Sequence, residues 1–286
     1  MLLFPNAKIN IGLRILRRRP DGYHDIESLM IPVGWCDILE IVPAQGSRST
    51  FTLLGEVPAD MRDTDNNLVV KGLKALERYI GRELPPLDVY LSKRIPTGAG
   101  LGGGSSDATF AIMGANRLLG LGLNEFQLAA VASGVGADCA FFVYNRPMLA
   151  QGIGEILTPV DMPVLEGRGI LIAKPATEAV STRQAYAGVT PRELESGSLA
   201  AGAPFTDMPL PRVLVNDFEQ SIFALRPEIA RLKEHIAETG AEYCSMSGSG
   251  ASVIGIYPTA KMAEEAAATI NDCEIYTGSL SSGPIN

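Results

Sequence analysis

Apolar and polar residues alternate with a period of two between residues 8 and 15. One face of this segment would carry four aliphatic residues: Ile9, Ile11, Leu13 and Ile15. The opposite face would carry Lys8, Asn10, Gly12 and Arg14. The alternation predicts a half-buried β-strand with Lys8 and Asn10 on the same side. On this pattern alone, a solvated polar face is the favoured interpretation.

Similar patterns predict strands and helices along the rest of the chain. Strands are expected at residues 26–33, 35–42, 87–91, 169–175 and 273–278, with hairpins at 148–160 and 242–257. Helices are expected at residues 65–79, 108–119, 124–133, 180–186, 227–238 and 259–270, and a further one begins at residue 216. Residues 190–208 are rich in Ser, Gly, Ala and Pro, which predicts a mobile loop.

The segment Pro96–Ala108 lies between a predicted strand and a predicted helix, and it contains five glycines. Ser105, Ser106 or Asp107 would cap the helix that follows. Glycines let backbone N–H groups turn inward, and a helix N-terminus adds unpaired donors and partial positive charge. The segment therefore predicts an anion site, and a phosphate chain is its natural ligand.

Three other interpretations of this loop are possible. Residues 98–103 formally fit G-x-G-x-x-G, but they come late in the chain and follow no convincing βαβ unit. A Walker A loop needs a lysine before its hydroxyl residue, whereas Ser105 directly follows Gly104. A flexible glycine linker is the third alternative, although linkers seldom lie between a strand and a capped helix.

The composition limits the classes of function. Hydrophobic residues make up 46% and charged residues 20% of the 286 residues, so a substantial core is expected. The net charge of −8 argues against a broad nucleic-acid-binding surface. Neither a signal peptide nor a membrane span is predicted. The four separated cysteines indicate reduced, mostly buried thiols of a cytoplasmic protein, and the two histidines make a histidine-based zinc site improbable.

Three motifs in this sequence resemble those of the GHMP kinases, a family of small-molecule kinases. Pro96–Ala108 is similar to the second motif of that family. Residues 5–10 and 20–24, which include Ala-Lys-Ile-Asn and Pro-Asp-Gly-Tyr-His, resemble the first motif of one branch. The substrate of that branch is a cytidyl-diphosphate sugar alcohol. Residues 247–250, Ser-Gly-Ser-Gly, resemble the third motif, so the resemblance covers essentially the whole chain.

The resemblance implies a two-domain α+β fold. A ribosomal-S5-like N-terminal domain would occupy residues 1–160, and a ferredoxin-like C-terminal domain would occupy residues 161–286. The implied reaction is ATP-dependent phosphorylation of the sugar alcohol's 2-hydroxyl in the non-mevalonate isoprenoid route, with ATP and Mg²⁺ required. The protein would be cytoplasmic, a monomer or a weak homodimer, and would bind neither nucleic acid nor membrane.

The same resemblance assigns the catalytic residues. Asp138 would accept the proton of the attacking hydroxyl, and Lys8 would keep that carboxylate ionised and offset charge developing at the nucleophile. On the residues alone, Asp138 could also be a helix cap or a turn residue. Ala140 stands where proline is usual in the family, and Gln151 stands where arginine is usual.

The resemblance also assigns the binding residues. The ATP-binding residues would be Pro96, Thr97, Gly98, Ala99, Gly100, Leu101, Gly102, Gly103, Gly104, Ser105, Ser106, Asn67 and Lys93. Tyr23, His24 and Tyr186 would hold the cytosine, and Asn10 would position the sugar alcohol. Ser247, Gly248, Ser249 and Gly250 would lie beside the transferred phosphate, and Ser105 or Ser106 would reach Mg²⁺. Asn67 and Lys93 could equally be a capping residue and a solvated lysine.

Three rival functions remain open at this point. Another GHMP kinase, such as homoserine kinase, would share the glycine loop but would have no use for residues that hold a cytosine. A catalytically silent nucleotide-binding protein would not need both Lys8 and Asp138. A nicotinamide-dependent oxidoreductase is the most distant rival.

Overall fold

A computed structural model describes residues 1–55, 66–192, 199, 207–208, 210 and 214–284 of the chain. The strands are, in chain order, β1 (Leu2–Leu3), β2 (Asn6–Arg18), β3 (His24–Cys36), β4 (Ile38–Pro43), β5 (Thr50–Leu54), β6 (Leu87–Ser92), β7 (Met148–Gln151), β8 (Ile156–Pro159), β9 (Gly169–Pro175), β10 (Tyr243–Met246), β11 (Val253–Tyr257) and β12 (Cys273–Ser279). The helices are α1 (Leu68–Ile80), α2 (Gly103–Leu118), α3 (Glu125–Ser133), α4 (Cys139–Tyr144), α5 (Thr182–Gly188), α6 (Glu219–Leu225), α7 (Pro227–Glu238) and α8 (Ala260–Ala267).

The chain forms two compact units, and each is discontinuous in sequence. The first unit comprises Met1–Ala7, Trp35–Ile95 and Gly102–Asn145. The second unit comprises Lys8–Gly34, Pro96–Leu101 and Arg146–Asn286. The chain therefore passes from the second unit to the first within Pro96–Ala108, which we call the glycine segment. Among the described residues, no helix is long and apolar enough to cross a membrane.

The first unit is built on a four-stranded sheet in the order β1-β4-β6-β5. Strands β4 and β6 are antiparallel, with Leu39 opposite Leu91, while β5 runs parallel to β6. Helices α1 and α2 approach each other closely, because a Cβ on Gly72 would lie only 3.1 Å from the carbonyl oxygen of Ala108. The aliphatic core includes Ile112 and fixes the helix that follows the glycine segment.

The second unit contains two four-stranded sheets within the described residues. One has the antiparallel order β10-β11-β9-β12, and helices α7 and α8 pack against it. The other has the order β2-β3-β7-β8. The predicted hairpins at 148–160 and 242–257 are confirmed as β7–β8 and β10–β11.

Strand β2 differs from the prediction. Both of its faces are buried from Asn6 to Leu16, so the expected half-buried strand with a solvated polar face is wrong. Lys8 is 4% exposed and Asn10 is 2% exposed. One face of β2 therefore packs against apolar side chains, and the other makes buried polar contacts. The sequence of a single strand cannot show that its polar face is buried.

The start of helix α2 also differs. The N-cap is Gly102, which has a φ of 70°, and no side chain caps the helix. The prediction of Ser105, Ser106 or Asp107 as caps is therefore wrong. These three residues lie inside the helix, because the left-handed glycine lets the helix begin five residues earlier than expected.

Two smaller expectations, on the strand at 35–42 and on the cysteines, are wrong, and others are not tested by the described residues. The strand expected at 35–42 is divided, because β3 ends at Cys36 and β4 begins at Ile38. Only Cys139 of the four cysteines is buried, so the expectation of mostly buried thiols is wrong. The loop expected at 190–208 falls largely outside the described residues, as does Asp65. The proposed domain boundary at residue 160 stays a prediction.

A buried charge cluster in the first unit links the residues on either side of the glycine segment. The ammonium of Lys93 donates to the carboxylate of Asp37 and to Asp107 Oδ2, the latter at 2.6 Å. Asp37 Oδ1 accepts the backbone N–H groups of Arg94 and Ile95 at 2.5 and 2.8 Å. The end of the chain before the loop is thus tied to helix α2 after it. Lys93 is only 15% exposed at its side chain, so its interpretation as a solvated lysine is wrong.

The carboxyl of Asp107 has an unusual environment. Burial raises its pKa to about 7, while Lys93 opposes the rise and Asp37 adds to it. Its Oδ1 has no hydrogen-bond partner among the described residues. An unfolded aspartate has a pKa of about 4. Between about pH 4 and pH 7, the folded protein therefore keeps this proton while the unfolded chain has lost it. The stabilisation from this proton is therefore present at low pH and is lost as pH rises towards 7.

We expect Asp107→Asn to remove that part of the pH dependence. The measured quantity is the free energy of unfolding of the wild type minus that of the variant. It should fall from about pH 5 to about pH 8, because the folded wild type loses its proton from Asp107 in this range and the amide of the variant has none to lose. Urea unfolding at several pH values measures this difference. Glu40→Gln, at an exposed carboxylate of β4, is the control and should leave the pH dependence unchanged. A difference that grows with pH would contradict the raised pKa.

Candidate active site

The first half of the glycine segment contacts the 247–250 turn within the second unit. The hydroxyl of Ser247 donates to the carbonyl of Gly100 at 3.0 Å, and the N–H of Ala251 donates to the carbonyl of Gly98 at 3.2 Å. A Cβ on Gly100 would lie 2.0 Å from the carbonyl oxygen of Ser247. Gly100 also has a φ of 72°, so two separate constraints require glycine there. The structure thus brings together two of the predicted phosphate-binding segments.

Strand β2 contacts both of these loops. The backbone N–H of Lys8 donates to the carbonyl of Leu101 at 2.9 Å. The backbone N–H of Asn10 donates to Ser247 Oγ at 3.2 Å. Between these backbone contacts, the ammonium of Lys8 donates to Asn10 Oδ1 at 2.5 Å. Three segments that are far apart in sequence therefore meet around Lys8 and Asn10.

Asn216 holds the 247–250 turn in place, although no sequence motif assigned it a functional role. Its Nδ2 donates to the carbonyls of Met246 and Gly248 at 2.8 and 2.7 Å. Within this turn, Gly248 and Gly250 have φ values of 54° and 89°, which suit glycine. No local signal could have linked Asn216 to the turn, since the partners are about thirty residues apart in the chain.

An aromatic stack lies in the second unit. His24 and Tyr186 are parallel, with ring centroids 4.9 Å apart and an interplanar angle of 19°. Phe218, which the sequence did not single out, meets the edge of Tyr186 at 4.9 Å. Burial lowers the pKa of His24, and the charge of Arg18 lowers it further, so the imidazole is neutral near pH 7. Tyr23 lies at the surface and is 60% exposed.

The second half of the glycine segment forms the N-terminus of α2 in the first unit. Gly104 is exposed, Ser105 is half-buried and Ser106 is fully buried. The first backbone N–H groups of this 16-residue helix have no partners within the helix itself. Such groups favour an anion, as expected for the predicted phosphate site.

The start of α2 offers two hydroxyl groups that could bind Mg²⁺. No group of three or more His, Cys, Asp or Glu residues suited to a metal ion occurs among the described residues. A kinase Mg²⁺ needs few protein ligands, however, because phosphate oxygens and water supply the rest. The half-buried hydroxyl of Ser105 fits such a role. Ser106 Oγ fits less well, because it is buried and has no hydrogen-bond partner among the described residues.

Two other predicted site residues lie at helix starts in the first unit. Asn67 is the N-cap of α1, and its side chain accepts the N–H of Val69 at 2.9 Å, so the capping interpretation is confirmed. Asp138 occupies the N-cap position of α4, but its side chain makes no capping hydrogen bond. The carboxylate of Asp138 is half-buried.

The two departures from the family pattern have structural explanations. Ala140 is the second residue of α4, where a backbone N–H has no partner within the helix. Alanine and proline are therefore both acceptable at this position. Gln151 donates from Nε2 to the carboxylate of the buried Glu27 at 3.1 Å, so an uncharged residue there still has a partner.

Comparison with known proteins identifies the family. The model of the GHMP kinases N terminal domain matches residues 67–146, and the model of the GHMP kinases C terminal domain matches residues 206–273. A protein of Parabacteroides distasonis, named 4-diphosphocytidyl-2-C-methyl-D-erythritol kinase, is 44% identical over 98% of this chain and 100% of its own. A protein of Bacteroides thetaiotaomicron with the same name is 43% identical over 90% of this chain and 92% of its own.

Solved structures give the same result. A crystal structure of 4-(cytidine 5'-diphospho)-2C-methyl-D-erythritol kinase has a TM-score of 0.79, is 28% identical and covers 99% of this chain and 100% of its own. A homoserine kinase from Cytophaga hutchinsonii has a TM-score of 0.70 over 97% of this chain and 95% of its own, but it is only 21% identical and therefore supports the fold alone. The predicted two-domain α+β fold of the GHMP kinases, ribosomal-S5-like and ferredoxin-like, is confirmed. The chain is a small-molecule kinase and belongs to the GHMP kinase family, among the 4-diphosphocytidyl-2-C-methyl-D-erythritol kinases.

Proposed function

We propose that this kinase transfers the γ-phosphoryl group of ATP to the 2-hydroxyl of 4-diphosphocytidyl-2-C-methyl-D-erythritol, a step of the non-mevalonate isoprenoid route. The names of its relatives support this substrate. The observation that carries the proposal is the meeting of Lys8, residues 98–101 and the 247–250 turn in the second unit. Such an arrangement supplies one cation and two sets of backbone groups for a phosphate chain.

The glycine segment would hold the phosphates of ATP mainly through backbone N–H groups. Residues 98–106 would cradle the phosphates, and Ser247–Gly250 would lie beside the transferred group. Asn67 and Lys93 would lie near the adenine. Lys93 already donates to two carboxylates, which leaves one N–H of its ammonium for a nucleotide.

Asp138 would accept the proton of the substrate hydroxyl as the oxygen attacks phosphorus. Lys8 would favour the ionised carboxylate and offset negative charge on the attacking oxygen. Asn10 would position the erythritol end of the substrate. The Mg²⁺ that normally accompanies ATP would be held by Ser105, or less directly by Ser106. When bound, this ion supplies positive charge against the β- and γ-phosphate oxygens.

The stacked rings of His24 and Tyr186 would hold the cytosine. Aromatic rings offer a flat surface for a base, and a neutral imidazole can also match the ring's hydrogen-bonding groups. Tyr23, which lies at the surface, would add to this contact only when substrate is present. We further propose a cytoplasmic location and a monomer or weak homodimer that needs neither nucleic acid nor membrane. The free thiols of the four cysteines suit a reducing compartment.

Release of ADP in a coupled assay with Mg-ATP tests the substrate. We expect turnover with 4-diphosphocytidyl-2-C-methyl-D-erythritol and none with homoserine, mevalonate or galactose, because only the first offers a cytosine to the aromatic stack. Turnover on one of the other alcohols instead would overturn the roles of His24 and Tyr186. No turnover on any of the four would overturn the proposed substrate.

Asp138→Asn tests the catalytic base. We expect kcat to fall by roughly 10²- to 10⁴-fold, since the amide cannot accept the proton. The Kd for ATP, measured by calorimetric titration, should remain close to that of the wild type. Asp161→Asn changes an exposed carboxylate of the second unit and serves as the control. An unchanged kcat in Asp138→Asn would exclude this residue as the base.

Tyr186→Ala and Tyr186→Phe together test the aromatic stack. Stacking of a base on an aromatic ring contributes about 1–3 kcal/mol, so the alanine variant should raise KM for the cytidyl substrate by roughly 5- to 150-fold. The phenylalanine variant retains the ring and should remain near the wild type. KM for ATP should change little in either variant. An equal rise of KM for ATP and for the cytidyl substrate would instead indicate general damage to the second unit.

A further inference from the structure

A short chain of buried hydrogen bonds ends at the ammonium of Lys8. Lys8 Nζ donates to Asn10 Oδ1 at 2.5 Å, and Asn10 Nδ2 donates to Ser28 Oγ at 2.8 Å. Ser28 Oγ in turn donates to the carbonyl of Gly12 at 2.7 Å. All four residues belong to the second unit. Asn10 therefore lies between a charged residue and a hydroxyl, with one end of its amide towards each.

The orientation of the Asn10 amide follows from the single proton of the Ser28 hydroxyl. That proton is used in the bond to Gly12, so Ser28 can only accept a hydrogen bond from Asn10. The NH₂ end of Asn10 must then face Ser28, and the oxygen must face Lys8. The reverse orientation would place two donors, an amide NH₂ and an ammonium, against each other.

The carbonyl of Gly12 is itself held firmly. The backbone N–H of Gly12 donates to Tyr243 Oη at 3.0 Å, and this hydroxyl donates to the carbonyl of Leu214 at 2.8 Å. Gly12 has a φ of 63°, and a Cβ there would lie 3.1 Å from Leu214 Cα. The acceptor for Ser28 is therefore fixed by a backbone conformation that only glycine adopts easily.

We propose that Ser28 is a positioning residue for phosphoryl transfer: it orients the amide of Asn10, and that amide holds the ammonium of Lys8. The inference rests on the role of Lys8 in the proposed function. Ser28 is 0% exposed, so no substrate atom reaches it without a rearrangement, and its effect on the reaction passes through Asn10. Asn10 thereby gains a second role, since its Oδ1 directs Lys8.

Ser28→Ala and Ser28→Thr are the first test. Without the hydroxyl, the amide of Asn10 has no fixed orientation, and we expect kcat to fall roughly 10-fold. KM for ATP should change less than about 2-fold, because the glycine segment is untouched. Threonine keeps the hydroxyl and should restore most of kcat. Ser245→Ala is the matched control, because Ser245 is also a buried strand serine of the second unit that donates a hydrogen bond.

A double-mutant cycle separates positioning from a general structural role. If Ser28 acts through Asn10, then Ser28→Ala should lower kcat in the wild type but should have no further effect in Asn10→Ala. Equal losses in both backgrounds would overturn the inference, as would wild-type kcat in Ser28→Ala. If the alanine variant does not fold, Ser28→Cys keeps the volume but accepts hydrogen bonds poorly. A wild-type kcat in that variant would also overturn the inference.

The outcome can be separated from that of the proposed function. If the wild type does not phosphorylate the cytidyl substrate, the proposed function fails. If the wild type is active and Ser28→Ala equals it, only the role of Ser28 fails. Thermal unfolding of each variant shows whether a loss of kcat follows a loss of stability.

Discussion

The close approach of Gly100 to Ser247 is the constraint on which the rest of the second unit's proposed phosphate-binding arrangement depends. A single added carbon at Gly100 would lie 2.0 Å from the backbone of Ser247, so the two loops can meet only where a side chain is missing. The Ser247 hydroxyl then fits between them. It donates to the carbonyl of Gly100 and accepts the N–H of Asn10. One contact thus fixes the relative positions of the glycine segment, the 247–250 turn and strand β2.

The electrostatics around the glycine segment rely on backbone groups more than on free cations. Lys93, which the motif resemblance assigns to ATP binding, is held between the carboxylates of Asp37 and Asp107. Its positive charge is therefore largely balanced within the first unit. The N-terminus of α2 contributes partial positive charge through fixed N–H groups instead. Fixed dipoles need no reorganisation when a charged ligand arrives, which suits phosphoryl transfer.

Local features of the structure could be predicted from the sequence. The hairpins, the helix at 124–133 and the helix that begins at Pro227 follow from nearby residues, and each is present. Features that depend on distant partners could not be predicted. The bond from Asn216 to the 247–250 turn and the burial of Lys93 both join residues that no local pattern connects. Motif resemblance pointed to segments that meet within the second unit, but it gave no indication of which side chains hold them.

Strand β2 shows why sequence-based prediction fails near the proposed site residues. Alternation of apolar and polar residues is normally taken as core against solvent, and that interpretation assumes that one face is wet. In β2 both faces are buried, so the polar groups of the polar face depend on partners inside the protein rather than on water. A buried polar face is costly unless its partners are fixed, so each member restricts the orientation of the next. The same requirement that makes β2 hard to predict therefore makes it suitable for holding Lys8 in one position.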